Sequence, residues 1–152
     1  MSVIERASPA DLAVIIALLE RCGLPQAGLE EVLTTTVVAR QAGQVVGCSA
    51  LERYGTTALL RSVAVDPLRR SHGLGSRLVQ AALSMARQMG IHEVYLLTET
   101  AADYFPRFGF HRIERAAASP AVHRSVEWTS ACPASAQAMV LSLQAGEQPN
   151  TS

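Results

Sequence analysis

Arg70, Gly73 and Gly75 have the types and the spacing to hold an anion. They stand in Arg69-Arg70-Ser71-His72-Gly73-Leu74-Gly75-Ser76. Arg70 supplies a fixed charge with a planar fork that matches phosphate oxygens. The glycines remove the Cβ atoms that would keep a phosphate away from the main chain. The same residues can also form a tight turn that merely caps a helix, so the setting matters. An apolar run, Leu59-Leu60-Arg61-Ser62-Val63-Ala64-Val65, precedes the loop, and an amphipathic helix from Ser76 to about Met89 follows it. Free N–H groups and the positive dipole end of such a helix attract negative charge. No Lys-Ser/Thr pair follows the glycines, and the spacing is not G-x-G-x-x-G, so neither common nucleotide loop is present.

The elements that must carry this loop can be read along the chain. Val3–Ala7 reads as a first strand. Ser8-Pro9 with Asp11 starts a helix to about Cys22, with Leu12, Ile15, Ile16 and Leu19 on one stripe and Gly23 at its end. Leu29–Leu33 suggests a second short helix. Thr34–Arg40, Gln44–Tyr54 and Ala58–Val65 read as strands joined by Gln41-Ala42-Gly43 and Gly55-Thr56-Thr57, hence antiparallel. Apolar residues on both faces of Leu59–Val65 predict a strand covered on both sides. In the long helix, Leu78, Val79, Ala82, Leu83 and Ala86 share a face, and Gly90 stops it. Val94–Thr98 then forms a strand parallel to Leu59–Val65 by the right-handed crossover rule. A short helix is expected over Ala101–Phe108 and a strand from Gly109 to about Ala116. A turn or short helix follows Ser119-Pro120, and Ala138–Leu143 is the last strand. Residues 1–143 read as a single domain and 144–152 as a disordered tail.

Composition narrows the classes. The chain has 152 residues, is 49% apolar, and has a formal net charge of +0. That gives no support to a nucleic-acid footprint. No apolar run approaches a membrane span, and the N-terminus lacks a secretory pattern, so a cytoplasmic protein is the default expectation. Cys22, Cys48 and Cys132 have no metal-ligand spacing; reduced, mostly buried thiols and no metal are expected. All 13 basic residues counted as Lys or Arg are Arg, which removes Schiff-base or self-acetylated lysine chemistry.

The Arg70-x-x-Gly73-x-Gly75 loop, the preceding Val63-Ala64-Val65-Asp66-Pro67, and Ala102-x-x-Phe105-x-x-x-Gly109-Phe110 resemble the GNAT family of acyl-CoA-dependent N-acetyltransferases. The likeness covers nearly the whole chain. It implies an α/β (α+β) GNAT fold, with a mixed central sheet of about seven strands and helices on both faces. It also implies acetyl-CoA as cosubstrate. Val63, Ala64 and Val65 would meet the pantetheine through their main chain. Arg70, Ser71, His72, Gly73, Leu74, Gly75 and Ser76 would surround the pyrophosphate, and Thr98, Phe105 and Phe108 would line the cofactor arm. A homodimer is a family expectation. A narrower likeness is carried by Leu60–Val65, Leu97-Thr98-Glu99-Thr100-Ala101, Ser125-Val126-Glu127-Trp128 and Cys132-Pro133-Ala134-Ser135-Ala136. These resemble the ArsN-type acetyltransferases of arsenic resistance, which implies N-acetylation of arsinothricin or its phosphorus analogue phosphinothricin, both glutamate mimics.

Direct attack of an amine on a thioester needs a free amine, an oxyanion donor and a proton for the leaving thiolate. Many family members carry a Tyr four residues before the Gly of Gly109-Phe110. Here that position is Phe105, and Tyr104 is displaced by about 100° around a helix. Tyr104 is therefore open between catalytic acid and packing residue, with water as the other acid. For the base, Glu52 falls opposite Arg61 if the hairpin centres on Thr56-Thr57. The pair is either a cross-strand ion pair or an acceptor site, with Arg61 on a carboxylate and Glu52 on the amine. Glu99 and Thr98 stand as candidates for amine, water or cofactor contact, against helix capping. Ser125 and Cys132 stand as acceptor-site candidates, with packing favoured for Cys132. Other acceptors, such as a polyamine, an aminoglycoside or a protein N-terminus, remain open. So does a non-catalytic acyl-CoA sensor, kept alive by Phe105.

Overall fold

The computed structural model describes residues 2–143, the side chains of residues 71, 72 and 130 excepted. The tail from Gln144, expected to be disordered, lies outside the described residues. The strands are β1 (Val3–Arg6), β2 (Thr36–Gln41), β3 (Gln44–Tyr54), β4 (Thr57–Val65), β5 (Glu93–Thr98), β6 (His111–Ile113) and β7 (Gln137–Ser142). They form one seven-stranded sheet in the order β1-β2-β3-β4-β5-β7-β6. The helices are α1 (Leu12–Arg21) and α2 (Leu74–Gln88). The chain makes two compact units, one of residues up to Glu52 with Leu60–Met85, the other of Arg53–Leu59 with residues from Ala86 on.

In the first unit, β1 and β2 pair antiparallel, as do β2 and β3. Successive β3 residues point to opposite faces. Cys48 and Ala50 pack in a core with Ile15, Leu18 and Leu19 of α1, with Leu29 and Val32 from the following segment, and with Ala64. Ser49 donates to the Leu78 carbonyl of α2 at 2.9 Å. Gly47 lies against the same turn of α2, where an added Cβ would sit 2.7 Å from Leu78 Cδ1 and 3.1 Å from the Ala64 carbonyl oxygen. β3 thus carries α1 on one face and α2 on the other. Leu12, Ile16, Ile15 and Leu19 form the expected stripe. Asp11 takes the Ser8 N–H at 2.8 Å and both Arg40 Nη atoms, at 3.1 and 2.7 Å, fastening the start of α1 to β2.

In the second unit, β4 and β5 run parallel at Thr57↔Glu93, Ala58↔Val94 and Leu59↔Tyr95. β7 pairs antiparallel with both β5 and β6. Leu59, Tyr95, Val122, Trp128 and Ala138 pack in its core. Tyr95 meets Trp128 edge-on, with ring centroids 6.2 Å apart.

Several expected boundaries move. The β3–β4 turn is Gly55-Thr56, since Thr57 already belongs to β4, so the hairpin centres one residue earlier than expected. The short helix expected over Leu29–Leu33 is a 3-10 helix over Leu29–Thr35, taking in Thr34 and Thr35 that were expected in the next strand. Helix α2 begins at Leu74, not Ser76, directly after Gly73 turns the chain at φ +70°. Only Phe105–Phe108 of the expected Ala101–Phe108 helix is helical, as a single 3-10 turn. The Thr98 hydroxyl takes the Ala101 N–H at 2.9 Å, and Pro106 has no N–H to extend a ladder. The strand expected to reach Ala116 stops at Ile113, whose carbonyl accepts from the Gln137 side chain at 3.1 Å, and Arg115–Ala117 turns away as a 3-10 helix. A π-helical turn, Glu127–Ala131, had no counterpart in the sequence reading.

Candidate active site

The loop that opened the sequence reading is held as a 3-10 helix, Pro67–His72, followed at once by α2. Asp66 caps it by accepting the Leu68 N–H at 3.0 Å, and its own N–H donates to Val46 at 2.8 Å. Arg69 donates to the Gln41 side chain. Gly73 sits in the left-handed region, where glycine costs least, and a Cβ there would meet nothing within 4 Å. Along this stretch of α2 the Arg77 N–H reaches the Gly73 carbonyl, at 3.3 Å. Helix geometry places the N–H groups of Leu74, Gly75 and Ser76 ahead of the ladder. Leu74 itself is buried, so it offers an N–H and not a side chain.

Arg70 is exposed, and its Nε donates to the Val65 carbonyl at 3.1 Å. Val63 is half-buried on β4; Ala64 and Val65 are buried. The stretch from Val63 to Ser76 therefore combines a strand end, an arginine and a helix N-terminus. This donor set suits a diphosphate joined to an amide-bearing arm. Ser71 and His72 lie in the 3-10 helix; their side chains are outside the description.

Glu52 and Arg61 do meet. Arg61 Nη1 donates to Glu52 Oε2 at 2.9 Å, with side chains 0% and 8% exposed. Arg61 Nε donates to the Ser62 hydroxyl at 3.1 Å. Ser62 has φ +60° inside β4, a left-handed conformation rare for a non-glycine residue in a strand. Cys48 Sγ donates to the Ser62 carbonyl at 3.2 Å, and burial pushes the Cys48 thiol up to about 12, so it stays a donor.

In the second unit, Tyr104 is half-buried and packs edge-on against Phe105 and Phe108, each 5.4 Å away. Phe105 is buried against Phe110. The Arg107 guanidinium lies 4.2 Å over the Tyr104 ring. Burial raises the Tyr104 phenol above its ordinary value while Arg107 pulls it back, leaving the protonated form at neutral pH. The Thr98 hydroxyl is engaged in capping, and Glu99 is exposed. Ser125 is buried, and its hydroxyl accepts the Glu127 N–H at 3.1 Å, so it builds the π-helical turn. Cys132 Sγ donates to Glu127 Oε1 at 3.7 Å. Burial first, then the charge of Glu127, pushes the Cys132 thiol up to about 12. Neither Glu127, buried at 4% exposure, nor Cys22, which touches Arg70, was assigned a role from sequence. Cys22 lies 48 positions from Arg70, and no local spacing signals that contact.

A family model described as acetyltransferase (GNAT) domain matches residues 33–112. The chain belongs to the GNAT acetyltransferase family. An amino-acid acetyltransferase of Mycobacterium tuberculosis is 42% identical over 74 residues, 47% of this chain and 41% of that protein. An uncharacterised N-acetyltransferase of Chlorobaculum tepidum is 38% identical over 79 residues, 51% of this chain and 50% of that protein. The matched regions thus span half or less of the length of these curated relatives. Among solved structures, N-acetylglutamate synthase of Neisseria gonorrhoeae, complexed with coenzyme A and N-acetyl-glutamate, superposes with TM-score 0.80 at 22% identity. That match covers 94% of this chain and 35% of the synthase. Rv2747 of Mycobacterium tuberculosis, in complex with CoA, superposes with TM-score 0.77 at 26% identity over 93% of this chain and 99% of its own. The fold is the GNAT fold, with a seven-stranded mixed sheet. Among the described residues no helix is long and apolar enough to cross a membrane, and no group of three or more His, Cys, Asp or Glu could hold a metal.

Proposed function

We propose that residues 1–143 act as one acetyl-CoA-dependent N-acetyltransferase domain whose acceptor is the α-amino group of a small amino acid. The observation that carries this is the run from Val63 through Arg70 to the first turn of α2, which supplies main-chain groups, a guanidinium and a helix N-terminus in series. CoA in the Rv2747 structure and the amino-acid acetyltransferase relatives support the cosubstrate and the acceptor class.

In this reading Arg70 and the α2 N–H groups bind the pyrophosphate. Main-chain groups of Val63–Val65 hold the pantetheine, and one N–H there serves the developing oxyanion. The deprotonated amine attacks the thioester carbonyl. The tetrahedral centre collapses as the carbon–sulfur bond breaks, and the thiolate takes a proton from water or from the phenol of Tyr104. Arg61 faces the acceptor's anionic end, and Glu52 or Glu99 takes the amine proton. Ser125 and Cys132 belong to the segment that shapes the acceptor side.

The acceptor we favour is a glutamate analogue bearing an arsenic or phosphorus acid, arsinothricin or phosphinothricin, with a resistance role. The supporting features are Leu60–Val65, Leu97–Ala101 and the Cys132-Pro133-Ala134-Ser135-Ala136 ending. The test is thiol release from acetyl-CoA with arsinothricin, phosphinothricin, glutamate and a polyamine as parallel acceptors. Selective turnover of the arsenic or phosphorus amino acid supports the full reading. Turnover of glutamate alone keeps the reaction and removes resistance. CoA binding without turnover of any amine replaces the enzyme by a sensor, the reading that Phe105 keeps open. Arg61→Ala should raise the acceptor KM by about tenfold or more with acetyl-CoA KM unchanged. A fall in melting temperature with the acceptor KM unaltered assigns the pair a structural role.

A further inference from the structure

The C-terminal end of α1 is fastened to the start of the anion loop at three points. Arg21 Nη2 lies 3.5 Å from Asp66 Oδ2. Cys22 Sγ donates to the Val65 carbonyl at 3.5 Å. Arg70 Nη2 donates to Cys22 Sγ at 3.3 Å, while Arg70 Nε reaches the same Val65 carbonyl at 3.1 Å. The sulfur, the carbonyl and the guanidinium close a three-membered ring of contacts around an otherwise exposed arginine. Cys22 can occupy this place because its own backbone is consumed by the helix end. Its N–H donates to Leu18 and Leu19, at 3.1 and 3.2 Å, before Gly23 turns the chain away.

We propose that Cys22 is a positioning residue for Arg70, holding the guanidinium in the orientation that receives the cofactor's diphosphate. An exposed arginine samples many rotamers, and each must be given up when an anion binds. Contacts that remove those rotamers beforehand leave more of the interaction to appear as affinity. Cys22 touches no reacting atom, so its effect falls on cofactor binding and not on the chemical step. Sulfur is a weak partner on both sides, which lets the arginine shift onto phosphate oxygens without breaking a strong bond.

The proposal rests on reading Arg70 as the pyrophosphate ligand, and the experiment separates the two. Calorimetry gives the CoA Kd, and steady-state kinetics give acetyl-CoA KM and kcat, for wild type, Cys22→Ala, Cys22→Ser, Arg70→Ala and the Cys22→Ala/Arg70→Ala double variant. Cys22→Ala should weaken CoA by about threefold to tenfold with kcat unchanged. Cys22→Ser, which keeps a donor and acceptor, should recover most of that loss. In the Arg70→Ala background the Cys22→Ala change should have no further effect. If Arg70→Ala weakens CoA and Cys22→Ala does not, the positioning role is overturned while the cofactor reading stands. An equal Cys22→Ala loss with and without Arg70 overturns it too. If Arg70→Ala leaves CoA binding intact, the pyrophosphate reading falls and the positioning role with it.

Discussion

Between Val63 and Ser76 the side-chain ties, from Asp66, Arg70 and Cys22, gather before α2 and leave main-chain N–H groups on offer at its start, whereas between Arg115 and Ala136 side chains hold the main chain at several points. In the first stretch a strand, a 3-10 helix and α2 follow one another directly, and Gly73 is the hinge between the last two. In the second, Arg115 donates to the Pro133 and Trp128 carbonyls at 2.7 and 2.6 Å, and lies 5.7 Å from the Trp128 ring. Ser125 and Cys132 are tied to Glu127. A site made of backbone tolerates exchange of most of its side chains. A segment made of side-chain ties loses its shape with one of them. Under the proposed function the first stretch holds the cosubstrate and the second shapes the acceptor side.

The largest test of this contrast is Arg70→Ala. It should raise acetyl-CoA KM by more than about tenfold, the scale of a lost charge-assisted contact, and leave the melting temperature nearly unchanged. A large thermal loss would show that the tie from Arg70 to the Val65 carbonyl carries the fold of the first stretch as well. Next comes Arg115→Ala, which removes two carbonyl contacts and an aromatic one. About 2 kcal/mol of stability should be lost, together with a change in Trp128 fluorescence, while acetyl-CoA KM stays put. A rise in acetyl-CoA KM with no change in fluorescence would break the contrast. The smallest effect is expected outside both stretches, at Asp11. Hydrogen bonds from Arg40, then the Ser8 N–H, hold its carboxyl at about 2, against an ordinary 3.8, with burial opposing. Its stabilisation is complete above about pH 4, drains as the unfolded chain takes up the proton first, and is gone near pH 2. Asp11→Asn should cost about 1–2 kcal/mol at neutral pH and flatten the acid limb of an unfolding titration between pH 4 and 2. An unchanged acid limb would remove Asp11 as its source.

Legibility followed the same divide. β3 runs over Gln44–Tyr54, as the residue pattern indicated, because Gly43 and Gly55 turn the chain at either end of a largely apolar run. The buried stripe of α2 was readable because its period is local. The start of α2 was misplaced by two residues: Gly75 reads as loop, but once Gly73 has made the left-handed turn the helix tolerates glycine in its first turn. The Glu127–Ala131 turn had no readable period, since Arg115 and Ser125 hold it from outside. Glu52 and Arg61 were paired from a hairpin centred on Thr56-Thr57; the turn lies one residue earlier, and the two long side chains still meet. The Cys22–Arg70 contact joins a helix end to a loop, and nothing in the intervening residues encodes it.

Ser62 leaves a last consequence. A serine held at φ +60° inside a strand costs on the order of 1 kcal/mol that glycine at the same place would not. Its carbonyl receives Cys48 and its hydroxyl receives Arg61, so the strained residue is the joint where the buried ion pair meets the end of β4. Glycine would relieve the backbone but remove the hydroxyl that accepts from the buried Arg61 Nε, a loss of about 1–3 kcal/mol that outweighs the relief. Ser62→Gly should therefore lower the melting temperature; a rise would show that the backbone strain is the larger cost.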